Sequence, residues 1–125
     1  MNARSCSVLG LVFALSCCSF AQAAPPAVAQ AEINYLLAAI DRSGCQFYRN
    51  GSWHNSKQAQ AHLRRKYDAL MAANRIQTAE DFIERAATRS SMSGEAYAIR
   101  CNADPAMPTD RWLRDQLARY RFSTP

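Results

Sequence analysis

Apolar residues recur at helical spacing in several stretches of the chain, and between them the period shortens. Ile33, Leu36, Leu37 and Ile40 form one stripe across 27–43, with Tyr35, Arg42 and several alanines elsewhere. That spacing predicts a helix, ended by Ser43-Gly44. The run from Cys45 to Arg49 is short and aromatic-bearing and predicts a strand, with Ser52-Trp53-His54 as its return. Asn50-Gly51 between them predicts a tight hairpin turn, since both turn residues need a positive φ. Asn55 or Ser56 caps a second helix over 57–73. Thr78 to Asp81 has the form of a capping box, with Glu80, Asp81 and Glu84 at the positive end of a third helix expected to run to Ser90 or Ser91. Ser93-Gly94 predicts a turn, Ala96 to Cys101 a strand, and 102–108, with two prolines, a loop. Thr109 is expected to cap a last helix, in which Trp112, Leu113, Leu117 and Tyr120 share a stripe. The pattern is an α+β fold of about four helices with a small antiparallel sheet, a hairpin plus one strand. No internal repeat is visible.

The first residues follow a different pattern. Arg4 precedes an uncharged, mostly apolar run from Val8 to Phe20, and Ala21-Gln22-Ala23 supplies the small-x-small motif of a cleavage site. An apolar run of about a dozen residues suits a secretory leader, because a membrane-spanning helix needs roughly 20. We therefore expect a signal peptide over 1–23, a linker over 24–30, one α+β domain over 31–122 and a tail over 123–125. Cys17 and Cys18 raise the question of a lipoprotein. Ala14 stands where a branched apolar residue belongs before Cys17, and Cys17 stands where Gly or Ala belongs before Cys18. The expectation is a soluble periplasmic protein with no transmembrane span in the mature chain.

Charge and cysteine content narrow this further. The chain has 15 Lys+Arg against 10 Asp+Glu, and loss of Arg4 lowers the net charge of +5 by one. With 49% hydrophobic and 20% charged residues it is neither disordered nor a polycationic tail. Cys6, Cys17 and Cys18 fall within the leader, so Cys45 and Cys101 remain, and an even count outside the cytosol reads as one disulfide. Export also removes nucleic acid and cytosolic ATP as partners. His54 and His62 form no ligand pattern, so no metal and no cofactor are expected.

Candidate chemistry centres on the second helix. Projected down its axis from Ala59, Leu63, Tyr67 and Leu70 define an apolar face. Lys66 falls about 20° from Ala59 and His62 about 60° from it, whereas Arg64 and Arg65 point away. A lysine inside an apolar stripe must snorkel, pair with an acid such as Glu84 or Glu95, or line a polar pocket. Ser90 continues the buried stripe of the third helix, Ala79, Phe82, Ile83 and Ala86. It either bonds back to the Ala86 carbonyl or, if the two helices pack together, approaches Lys66 and His62. A serine beside a lysine or histidine is the skeleton of nucleophilic catalysis, so Ser90, Lys66 and His62 are the candidates for a small envelope hydrolase or transferase. There is no G-x-S-x-G or S-x-x-K motif. The favoured alternative is a non-enzymatic binding domain for an envelope component or a periplasmic protein. In it Arg49, His62, Lys66, Ser90 and Ser93 line a pocket for an anionic envelope ligand such as a phosphorylated sugar or lipid head group. Arg111, Arg114 and Arg121 fall on one side of the last helix, opposite the Trp112 stripe, as on an ordinary solvated face or one drawn to anionic lipid.

Several of these stretches together carry a resemblance. Ser43-Gly44-Cys45-Gln46-Phe47-Tyr48-Arg49-Asn50-Gly51, His62-Leu63-Arg64-Arg65-Lys66-Tyr67, Ala79-Glu80-Asp81-Phe82-Ile83 and Ser90-Ser91-Met92-Ser93-Gly94, with Tyr97 and Cys101 following, resemble the YfeK-like family. These are small exported proteins of Gram-negative bacteria, classed as a domain of unknown function. The likeness runs over about residues 31 to 122 and implies a periplasmic, signal-bearing protein. It brings no established activity, cofactor or catalytic residue. Trp53-His54 departs from it, where relatives are expected to hold a tyrosine-type position.

Overall fold

The computed structural model describes residues 10–14, 16 and 24–124. Cys6, Cys17, Cys18 and the cleavage site expected after Ala23 lie outside the described residues. Helix α1 spans Ala27–Arg42 and so begins inside the 24–30 stretch. Strands β1 (Gln46–Arg49) and β2 (Ser52–His54) form the hairpin, and helices α2 (Ser56–Ala72) and α3 (Ala79–Ala86) follow. Strands β3 (Ala98–Arg100) and β4 (Met107–Pro108) then lead into helix α4 (Thr109–Ser123). The sheet order is β2-β1-β3-β4, all antiparallel.

Local chemistry accounts for most of these boundaries. Asn50 and Gly51 both adopt positive φ, 48° and 85°, as the hairpin requires. Asn55 forms a complete capping box with Gln58, and Thr78 forms one with Asp81. Helix α3 stops at Ala86, four residues before Ser90, which corrects the longer helix expected from the sequence. The Thr88 hydroxyl donates to the Ile83 carbonyl at 2.8 Å, closing the last turn, and the chain then pairs as an isolated bridge, Arg89 with Ala96. The loop expected over 102–108 contains β4, where Met107 pairs with Ile99 and Pro108 with Ala98. Pro108 sits at the sheet edge, where its missing N–H breaks no ladder bond. Thr109 was expected to cap α4. Pro108 holds that position instead, because the Thr109 N–H donates to the Tyr97 carbonyl and carries the ladder one residue further.

The helices cover the sheet face that carries Phe47, Tyr97 and Ile99, and these residues join one core with Ile33, Leu36, Leu37, Ile40, Phe82 and Leu113. Trp112 meets Phe47 edge-on, the two ring centres 6.4 Å apart. Cys45 and Cys101 are disulfide-bonded, with Cα atoms 4.5 Å apart, just outside the paired ends of β1 and β3. Arg121 does not belong to a free basic face. It reaches along the surface from α4 and pairs with the buried Glu32 of α1 and with Glu80 of α3. Among the described residues, no helix is long and apolar enough to cross a membrane.

A cationic cluster at the mouth of an apolar cavity

Helix α2 crosses the hairpin so that the two side chains at the edge of its apolar stripe meet the sheet. Nη1 of Arg49, the last residue of β1, lies 3.0 Å from His62 Nδ1. A guanidinium only donates, so Nδ1 accepts and the imidazole proton rests on Nε2. That nitrogen donates to the Tyr97 hydroxyl at 3.2 Å. The Lys66 ammonium donates to the same hydroxyl at 3.2 Å and to the Arg89 carbonyl at 3.0 Å. It also stands 5.0 Å from the centre of the Tyr97 ring. Two donors occupy both lone pairs of the Tyr97 oxygen, which leaves its own O–H proton available to an acceptor.

Among the described residues, the ion pairs are Lys57 with Asp41 and Arg121 with Glu32 and Glu80. Arg49 and Lys66 belong to none of them. Glu95 accepts from the Tyr48 hydroxyl instead, at 2.8 Å, and Glu84 is exposed. Burial, then the nearby charges of Arg49, Lys66 and Arg65, holds the His62 pKa down at about 4. Burial and the Arg49 charge lower that of Lys66, while burial raises that of Tyr97. The cluster is therefore a set of donors with two uncompensated cations and a neutral imidazole between them.

The neutral imidazole makes stability depend on pH. In the unfolded chain His62 protonates near 6.5 and in the folded one near 4, so the unfolded state binds more protons between those values. Its contribution is complete above pH 6.5 and is lost as pH falls toward 4. With allowance for solvent screening of a partly exposed ring, the expected loss is roughly 1–2 kcal/mol. Urea unfolding at pH 7 and pH 4.5 measures it, and His62→Asn should flatten the difference. An equal loss in both proteins would assign the effect to carboxylates.

Beside the cluster lies a small, half-open apolar cleft of about 30 Å³. It is lined by the buried Phe47, Ala59, Leu63, Tyr97 and Thr109 and by the more exposed Tyr48, Arg49, His54, Gln58 and His62. Thr109 is 1% exposed. Its hydroxyl is the buried side-chain polar atom without a hydrogen-bond partner among the described residues.

The serines lie elsewhere. Ser90 is buried, and its oxygen accepts from the N–H groups of Met92 and Ser93 and from Asn50 Nδ2, all at 3.2–3.3 Å. The Ser93 hydroxyl donates to Asn50 Oδ1 at 2.6 Å. Together they fasten the loop after α3 to the hairpin turn. Neither serine is hydrogen-bonded to Lys66 or His62, and the bond from Ser90 back to Ala86 is not formed, because the helix has already ended. Of the sequence-derived candidates, the fold thus joins Arg49, His62 and Lys66 and leaves Ser90 and Ser93 apart. Tyr97, which joins His62 to Lys66, and Thr109 were not candidate site residues in the sequence. Alternation along the strand from Tyr97 through Ile99 to Cys101 was the available signal, since it puts Tyr97 on the face that Cys101 ties to the hairpin. No group of three or more His, Cys, Asp or Glu among the described residues is placed to hold a metal ion.

A family model described as a family of unknown function (DUF5329) matches residues 27–121. The uncharacterized protein YfeK of Salmonella typhimurium is 39% identical over 93 residues, which cover 74% of this chain and 72% of the relative. No solved structure matches the chain.

Proposed function

The chain belongs to the DUF5329 family of unknown function, and from the site it carries we propose that it is an exported, periplasmic, non-enzymatic domain that binds a small anion of the cell envelope. The observation that carries this reading is the meeting of Arg49 and Lys66 on His62 and Tyr97 with no acidic partner among the described residues. Two partly desolvated cations on one cluster repel each other, and a phosphate or carboxylate at the mouth relieves that repulsion. The Tyr97 O–H proton adds a third donor. A leader-like first 23 residues and a disulfide support the exported location. The Ser90 hydroxyl is engaged with Asn50, Met92 and Ser93 and has no base beside it among the described residues, so the site favours holding a ligand over cleaving one.

Titration calorimetry of the mature domain with inorganic phosphate, a sugar phosphate and small carboxylates tests the reading. Arg49→Gln and Lys66→Met are each expected to weaken binding by about ten- to a hundredfold, the worth of one charge-assisted hydrogen bond. Methionine keeps the apolar stem of Lys66 packed, so the loss reports the charge. No heat from any of these anions, or equal affinity in wild type and both variants, removes the proposal.

A further inference from the structure

His62 stands at the centre of the cationic cluster and carries no charge of its own. Resting on the anion-binding reading above, we infer that the site takes up its anion together with one proton: Nδ1 of His62 gains the proton from solvent, and the Arg49 guanidinium turns from the imidazole to the ligand. Two contacts set this up. Nδ1 accepts from Arg49 Nη1 at 3.0 Å, and Nε2 already donates to the Tyr97 hydroxyl at 3.2 Å. A proton on Nδ1 sets two N–H groups against each other across the first contact. One ligand oxygen placed between them accepts from both, so the contact that opposes the proton becomes the contact that holds the anion. Proton and anion therefore favour each other, and by linkage each tightens the binding of the other by the same factor.

The groups that face His62 sharpen this coupling. Arg49 comes from β1, His54 from β2, Arg65 and Lys66 from its own helix, and Tyr97 from the residue before β3. None of these described groups is a carboxylate. On α1, Asp41 pairs with Lys57 and Glu32 with Arg121. On α3, Glu80 pairs with Arg121, Asp81 caps its own helix and Glu84 is exposed. Burial first, and then the surrounding cations, hold the free ring at a pKa of about 4. A bound anion supplies the counter-charge and returns the ring toward its ordinary value of about 6.5.

The probe is sulfate, which stays a dianion between pH 5.5 and pH 8, so any proton taken up belongs to the protein. Followed by chemical shift, the His62 ring is expected to titrate near pH 4 in the free protein and about two pH units higher with saturating sulfate. Calorimetry in two buffers of different ionisation heat should show close to one proton taken up per sulfate at pH 5.5 and almost none at pH 8. Binding should be about tenfold tighter at the lower pH. His62→Asn offers Arg49 an acceptor that does not titrate, so proton uptake and pH dependence should both vanish, whereas His54→Asn should keep both. Arg49→Met removes the opposing donor, so its ligand-free ring should titrate above that of the wild type and move less when sulfate is added. Equal sulfate affinity at the two pH values, or a His62 ring that titrates alike with and without sulfate, overturns this inference and leaves the anion site standing. Proton uptake that survives in His62→Asn, or is lost in His54→Asn, overturns it in the same way, as does an Arg49→Met ring that titrates like the wild type. No sulfate binding at either pH also overturns it: phosphate that still binds at pH 8 then leaves the anion site standing, and no binding of phosphate removes both readings.

Discussion

Reducing the Cys45–Cys101 disulfide, or replacing both cysteines by alanine, is expected to cost roughly 4 kcal/mol of folding stability. The two residues are 56 apart in sequence, so the bond closes a long loop and removes much of the unfolded chain's freedom. Set against the roughly 5–15 kcal/mol that holds a domain of this size together, that is a large share. The bond sits at the end of a ladder that is already paired, Gln46 with Arg100 and Phe47 with Ile99, so the sheet pairing does not depend on it, although the alanine variant also loses the buried Cys45 sulfur from the core. The folded sheet should therefore survive in the variant, with a lower urea midpoint and a smaller folding free energy. The same ladder carries Arg49 and Tyr97 beyond its paired steps, so anion binding by the variant should weaken only as far as its folded fraction falls. A cost below about 1 kcal/mol would place nearly all the stability in the helical core.

That ladder also shows what the chain discloses locally and what it does not. Helices α1, α2 and α4 and the hairpin are written in short-range chemistry: one apolar stripe, one Asn-Gly turn, one Asn55 cap. The end of α3 is not, because the stop depends on Thr88 reaching a carbonyl and on Arg89 finding Ala96 across a turn. Strand β4 is two residues long and ends in proline, and only β3 beside it makes it a strand. The candidate site divides the same way. Lys66 in an apolar stripe is an anomaly visible within one helix. Tyr97 becomes the meeting point only when β3 lies beside β1 and α2 packs on β1, and no periodicity carries that. Thr109 reads as a cap residue by type, yet the ladder bond made by its N–H shifts the cap to Pro108 and turns its hydroxyl into the interior.

Arg121→Met is expected to destabilise the fold by about 3 kcal/mol, through the group it leaves behind more than through the contact it removes. Glu32 is 6% exposed, and Arg121 grips its carboxylate with two nitrogens while a third bonds Glu80. One side chain of α4 thus joins α1 and α3 at a point where no other cation serves Glu32 among the described ion pairs. Without it a carboxylate stays buried and unpaired. If this is the source of the loss, removing the acid as well must repair most of it, so Glu32→Leu/Arg121→Met should be more stable than Arg121→Met alone. A double-mutant cycle by urea unfolding should give a coupling of roughly 1–3 kcal/mol between the two positions. The bond from Arg121 also holds the Glu80 pKa below the usual carboxylate range, so that contribution is present at neutral pH and fades as the solution is made acid. Arg121→Met should accordingly lose more stability at pH 7 than at pH 3. Additive single losses, or an equal penalty at both pH values, would mean that the aliphatic stem of Arg121 packs the helices together and that its charge contributes little.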